Sequence, residues 1–195
     1  MPFIDTIPDA EIGDDVRAMY ARQASFWGFV PNYAKVFCYR PAIMDHWAAL
    51  QVEIKRSMGR RRFEIVTFAA ATALRSTLCS LAHGKTLTEF FSSDDVAAIA
   101  QDKTPASWSA VEIEIVRFAK LVARDASAVV QQDVERLKQL GLTDAEIFDI
   151  SAAAGARAFW TKILESLGVA PEPSLLEMNP DFKQAMAVGR PLGFR

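Results

Sequence analysis

The run Ile65-Val66-Thr67-Phe68-Ala69-Ala70-Ala71 carries no charge and offers no solvent-compatible face at either the helical or the strand period. Such a segment must be buried nearly all round, so it marks the centre of a core and needs amphipathic partners on every side. Those partners are helical by pattern. Almost every segment long enough to classify repeats its apolar residues at the helical period, and none alternates like a strand bounded by turn residues. The chain reads as all-α.

The spacing predicts an N-terminal helix from about Asp9 to Ser25, with Ile12, Val16, Met19 and Tyr20 on one face and a break at Gly28-Phe29-Val30-Pro31-Asn32. A short helix follows Pro31 and stops before Pro41, and Ile43, Trp47, Leu50, Ile54 and Met58 then form an apolar stripe ending at Gly59. The buried helix begins around Arg60. The pattern restarts near Arg75-Ser76-Thr77 with a helix carrying Cys79, His83, Leu87 and Phe90, and Ser92-Ser93-Asp94-Asp95 caps another. Ser109-x-x-Glu112 and Thr143-x-x-Glu146 are capping-box sequences, opening helices to about Arg124 and from Ile147 to Leu167, with Val130, Val134, Leu137 and Leu140 marking one between. The expected organisation is a single domain, 1–195, with an N-terminal helical arm (1–40) and an extended C-terminal arm (171–195). Placing Gly59 on Gly141 aligns Glu64 with Glu146, Ile65 with Ile147, and Ala70-Ala71 with Ala152-Ala153. Alanine-rich helices match one another cheaply, so both chance and an internal repeat of helical hairpins explain it.

Composition narrows the function classes. A formal charge of −2 gives no electrostatic footprint for nucleic acid or anionic lipid, and Arg60-Arg61-Arg62 is too short to reverse this. Those arginines read as a solvated helix start or as salt bridges to another subunit. The stretch Phe68 to Leu74 falls far short of the ~20 residues of a membrane span. Met1-Pro2-Phe3-Ile4-Asp5 turns polar at once, and two cysteines cannot build a disulfide framework, so a cytoplasmic location is expected. With only two histidines and no Glu-x-x-His or Cys-x-x-Cys pair, no metal site and no cofactor is expected. Each Cys and His can therefore be weighed singly.

Cys79 and His83 lie four apart, on one face of the predicted helix. A cysteine in the first helical turn sits where free N–H groups and the dipole favour negative charge, so its thiolate should be stabilised. Glu64 lies on the buried helix, where a carboxylate is costly without a partner. An antiparallel hairpin turning near Ser76 brings Glu64 back beside His83, giving a relay in which Glu64 orients the imidazole and His83 takes the thiol proton. The plainer reading treats Cys79 as a small buried hydrophobe and His83 as a satisfied core residue, and spacing alone does not decide between them. His46 reads as an ordinary partly buried histidine, and Trp27, Trp47, Trp108 and Trp160 read as core or interface anchors.

Glu64-x11-Ser76-x2-Cys79-x3-His83, embedded in Arg62-Phe63-Glu64-Ile65-Val66 and Leu78-Cys79-Ser80-Leu81-Ala82-His83-Gly84, resembles the alkylhydroperoxidase AhpD core of the carboxymuconolactone decarboxylase-like superfamily, above all its peroxidase-related group. The family pattern is Glu-x11-Cys-x2-Cys-x3-His. The resemblance implies an AhpD-like helical domain that assembles as a homotrimer or homohexamer and needs neither haem nor metal. It places Cys79 on the peroxide-reactive cysteine, His83 on the relay histidine, Glu64 on the relay glutamate, and Ser76 on the other cysteine. A serine there cannot form the Cys-x-x-Cys disulfide. The implied activity becomes a one-cysteine hydroperoxide reductase: Cys79 attacks a small hydroperoxide, and an external thiol, or less readily Cys38, reduces the sulfenic acid. Ser76 is expected to donate a hydrogen bond to the thiolate or the leaving oxygen. Cys38, in its bulky Phe37-Cys38-Tyr39 setting, otherwise reads as a packing residue. Two alternatives keep the fold: a non-redox decarboxylase-like lyase with Ser76 and His83 lining its pocket, and an oligomeric redox sensor or scaffold without turnover.

Overall fold

A computed structural model describes residues 2–193, which are helical throughout their regular structure, with no strand among them. In chain order the helices are α1 (Asp14–Trp27), α2 (Asn32–Lys35), α3 (Pro41–Met58), α4 (Arg60–Ala73), α5 (Thr77–Leu87), α6 (Ser93–Ala100), α7 (Ala110–Asp125), α8 (Gln131–Gln139), α9 (Asp144–Ser166), α10 (Pro173–Leu176) and α11 (Pro180–Met186).

Helix α4 is the hub. Phe63 to Thr72 are buried without a break, because α5, α7 and α9 pack around them. One apolar cluster joins Phe63, Phe68, Leu81, Ile115, Phe118 and Ile150 across these helices. A second joins Met19, Cys38, Trp47, Cys79, Trp160 and Leu164, locking α1 and α3 onto the far end of α9. There the Trp160 ring stacks on Trp47 at 4.7 Å and on Phe37 at 5.1 Å. Cys79 lies in this second cluster while its helix, α5, lines the first, so the cysteine occupies the seam between them.

Both capping boxes form, at Ser109/Glu112 and Thr143/Glu146. The three arginines at the start of α4 pair within the chain: Arg60 with Glu89, Arg61 with Glu112, and Arg62 with Glu146 at 2.7 Å. Each thus ties α4 to a different neighbouring segment.

The structure corrects several sequence expectations. A turn over Pro8–Glu11 delays α1 to Asp14, and the helix continues to Trp27. The buried face of α3 keeps Trp47, Ile54 and Met58 of the expected stripe and adds Met44, while Ile43 and Leu50 are exposed. His46 is exposed beside an Arg22–Asp45 ion pair, and Trp27 is exposed while the other three tryptophans are buried. The C-terminal arm is not extended. Pro173 and Pro180 each open a short helix, and α11 docks on α5 and α6. At Gly84 a β-carbon would come within 2.6 Å of Met186 Sδ and 3.2 Å of the Phe68 ring, so this glycine permits the α11 contact. Beyond α11 the chain lies backbone on backbone over the α4–α5 turn, where a β-carbon at Gly189 would stand 1.6 Å from the Arg75 carbonyl oxygen. None of these helices is long and apolar enough to cross a membrane.

Candidate active site

The site begins where the helical path is interrupted. Arg75 takes a left-handed conformation (φ 56°), and the Ser76 N–H turns back onto the Ala71 carbonyl, ending α4. Ser76 then caps α5, its hydroxyl oxygen accepting the Cys79 N–H at 3.2 Å. Cys79 is therefore the third residue of α5, in the turn whose free N–H groups carry the positive end of the dipole. It is 3% exposed, and its sulfur accepts a hydrogen bond from the Thr161 hydroxyl of α9 at 3.6 Å.

His83 follows one turn later on the same helix. Its Nδ1 lies 2.6 Å from Glu64 Oε2, and its side chain is more open than that of Glu64, 17% against 8% exposed. The expected hairpin thus joins Glu64 to His83. Thr67 Oγ1 lies 3.4 Å from the same nitrogen, but the hydroxyl donates to the Phe63 carbonyl at 2.8 Å. With Nδ1–H donating to the carboxylate, Nε2 is the ring atom left to act as base.

Electrostatics support those roles. Burial, and then the charge of Arg157, push His83 below its ordinary value against the opposing pull of Glu64, so the imidazole rests neutral at neutral pH. Burial works against the Glu64 charge, yet His83, Lys55 and Arg157 together outweigh it and hold the carboxyl below its ordinary value.

Ser76 occupies a different place from the one expected. Its hydroxyl proton goes to Glu165 Oε1 at 2.6 Å and its oxygen to the Cys79 N–H, so it holds the helix start instead of donating to the sulfur. Arg190 in turn lies against Glu165, and Thr77 donates to the Arg190 carbonyl at 2.7 Å, which straps the C-terminal segment over this turn. Cys38 is buried and unbridged, and its sulfur accepts the Ile7 N–H at 3.4 Å. The nearby Tyr20 phenol is pushed up to about 12, first by burial and then by the Cys38 and Asp9 charges.

Two participants went unnamed at the level of sequence: Thr161 and Arg157, one turn apart on α9. Arg157 is 6% exposed, and its charge is coupled to those of Cys79 and Glu64. A signal existed. Ile147, Ile150, Ala153, Ala154, Arg157, Trp160, Thr161 and Leu164 repeat at the helical period, so an arginine falls on the buried face of α9.

No protein-family model and no curated protein matches the sequence. Solved structures do share the fold. A peroxidase-related protein with an alkylhydroperoxidase AhpD core, from Ralstonia eutropha, aligns with a TM-score of 0.76 at 21% identity, over 97% of this chain and 98% of its own. An uncharacterised peroxidase-related protein from Silicibacter aligns at 0.75 and 16% identity over 91% and 95%. The debrominase Bmp8, a cysteine-to-alanine variant holding 2,3,4-tribromopyrrole, aligns at 0.73 and 11% over 94% and 97%. The chain has the AhpD-like fold.

A depressed His83 has a consequence for stability. The folded state binds fewer protons than the unfolded one below about pH 6.5, so the unfolding free energy falls as pH drops from about 7 towards 5.5. His83→Asn should flatten this slope in urea titrations. An unchanged slope would show that His83 is not the group responsible.

Proposed function

We propose that this protein is a thiol-dependent hydroperoxide reductase that works through a single cysteine, Cys79. The observation that carries the reading is the 2.6 Å Glu64–His83 contact one turn from a cysteine at a helix N-terminus. His83 Nε2 takes the thiol proton. The thiolate attacks the terminal oxygen of the hydroperoxide; the S–O bond forms as the O–O bond breaks, and the departing alkoxide takes the proton from the His83 imidazolium. The products are an alcohol and Cys79 sulfenic acid. One external thiol condenses with the sulfenic acid, releasing water and leaving a mixed disulfide. A second thiol cleaves that disulfide and returns Cys79. The peroxide gains the two electrons that the two thiols lose.

An external reductant follows from the sulfur inventory. Ser76 cannot form a disulfide, and Cys38, buried in the same apolar cluster as Cys79, has its sulfur taken up by the Ile7 N–H. With a dithiol as reductant, the wild type should consume an alkyl hydroperoxide catalytically and Cys79→Ser should fall to the background rate. Equal rates would remove the peroxidase reading and favour a lyase in which the cysteine is dispensable. Absence of turnover in both would favour a sensor or scaffold. The same thiolate also suits dehalogenation, as the debrominase neighbour raises, so tribromopyrrole is the comparison substrate.

The assembly proposed with this activity is a homotrimer or homohexamer. Ile43 and Leu50 of α3 and Phe148 and Phe159 of α9 are exposed on two helices that pack together, with Phe148 70% exposed and Phe159 in contact with Trp47. Apolar surface of this kind favours association with a second copy. Light scattering should return the mass of three or six chains, and the pair Leu50→Glu with Phe159→Glu should lower it. A monomeric wild type would refute the assembly.

A further inference from the structure

Arg157 makes a demand that the relay does not meet. Arginine stays protonated in proteins, and a buried guanidinium without a counter-charge costs several kcal/mol. Here the residue is 6% exposed, and its buried Nε has no hydrogen-bond partner among the described residues. One face of the guanidinium lies 5.8 Å from the Trp47 ring, which packs it without neutralising it. The two acidic groups coupled to its charge are Cys79 and Glu64. Glu64 is already engaged, with an oxygen 2.6 Å from His83 Nδ1. Cys79 is not. Thr161, one turn after Arg157 on α9, touches the Cys79 sulfur at 3.6 Å, so this face of α9 presents a hydroxyl and a permanent cation to the same side chain.

We propose that Arg157 is the counter-charge of the Cys79 thiolate, so that α9 supplies the cation and α5 the nucleophile of one buried pair. The charged groups acting at this point are Glu64 of α4, His83 of α5, Arg157 of α9 and, through Glu64 and His83, Lys55 of α3. Within this cluster, moving the Cys79 proton to His83 creates no net charge. The thiolate gains Arg157, the new imidazolium already has Glu64, and the two new charges form beside opposite ones instead of appearing alone in a low-dielectric interior. When the thiolate is consumed at the peroxide, the guanidinium faces the sulfenic oxygen and offers it a hydrogen bond.

This role rests on Cys79 being the nucleophile, but its test does not need peroxide turnover. Cys79 and Cys38 are alkylated with iodoacetamide at neutral pH and quantified separately by peptide mass spectrometry, so that Cys38 reports any loosening of the fold. Arg157→Met keeps most of the packing volume and loses the charge; Arg157→Lys does the reverse. In the wild type Cys79 should react faster than Cys38. Arg157→Met should slow Cys79 by at least ~10-fold, the size of one charge-assisted hydrogen bond, and Arg157→Lys should recover most of the rate. Three results would overturn the proposal: Cys79 no faster than Cys38 in the wild type, Arg157→Met at the wild-type rate, or Arg157→Lys as slow as Arg157→Met. If faster Cys38 labelling shows that Arg157→Met has loosened, Arg157→Gln takes its place under the same criteria. If the wild type consumes no hydroperoxide while the labelling pattern holds, the peroxidase reading falls and the thiolate pair stands. Turnover without the labelling pattern removes only the role of Arg157.

Discussion

Arg75 stops α4 just after its buried decade and lets the chain restart as α5, and the rest of the site follows from that interruption. A left-handed backbone at a non-glycine residue costs roughly 1–2 kcal/mol. The neighbourhood offsets it: Ser76 caps α5 for about 1 kcal/mol, and the Thr77 hydroxyl accepts from the Gly189 N–H and donates to the Arg190 carbonyl. Without the break, Cys79 would sit in the middle of a long helix, with its N–H groups bonded away and no dipole end to face. With it, α5 doubles back along α4 and brings His83 onto Glu64. One local irregularity thus makes both the anion-favouring turn and the relay.

Helix α9 shows what the uninterrupted version looks like. The alignment that pairs Gly59 with Gly141 sets α4 and α5 against the single helix α9, which runs unbroken from Asp144 to Ser166. Thr161 and Cys79 are 82 positions apart, the same offset as the alignment, and they touch. Helix α9 carries no helix start at this position; it places the Thr161 hydroxyl on the Cys79 sulfur of α5.

What could be read from sequence was whatever local chemistry decides. The all-apolar stretch of α4, the capping boxes at Ser109 and Thr143 and the four-residue spacing of Cys79 and His83 depend on near neighbours, and they appear as expected. The Glu64–His83 contact was also legible, because a buried carboxylate demands a partner and a turn near Ser76 leaves His83 within reach. The remainder depends on which side of a helix meets which neighbour. The face of α3 is set by packing on α1 and α9, so Ile43 and Leu50 read as core and lie outside. Ser76 was assigned to the sulfur because nothing local reveals Glu165, which arrives from 89 residues away and takes its proton. The local sequence does not single out Arg157, because its acidic neighbours come from two other helices. The tail helices carried a usable mark, proline at the first helical position with Asn179 capping the second, outweighed by the general impression of a Pro- and Gly-containing arm.

In the proposed peroxidase, the α4–α5 break turns a buried cysteine into a nucleophile served by His83 and Glu64. The most direct test of this is to expose the protein to one equivalent of an alkyl hydroperoxide in the presence of dimedone, which traps sulfenic acid, and to locate the adduct by mass spectrometry in the wild type and in Glu64→Gln. A near-stoichiometric adduct should form on Cys79 and none on Cys38, with trapping slowed by ~100-fold in Glu64→Gln, where His83 loses the carboxylate that orients it as the base. An adduct on Cys38, no adduct on Cys79, or equal trapping rates in the two proteins would contradict it.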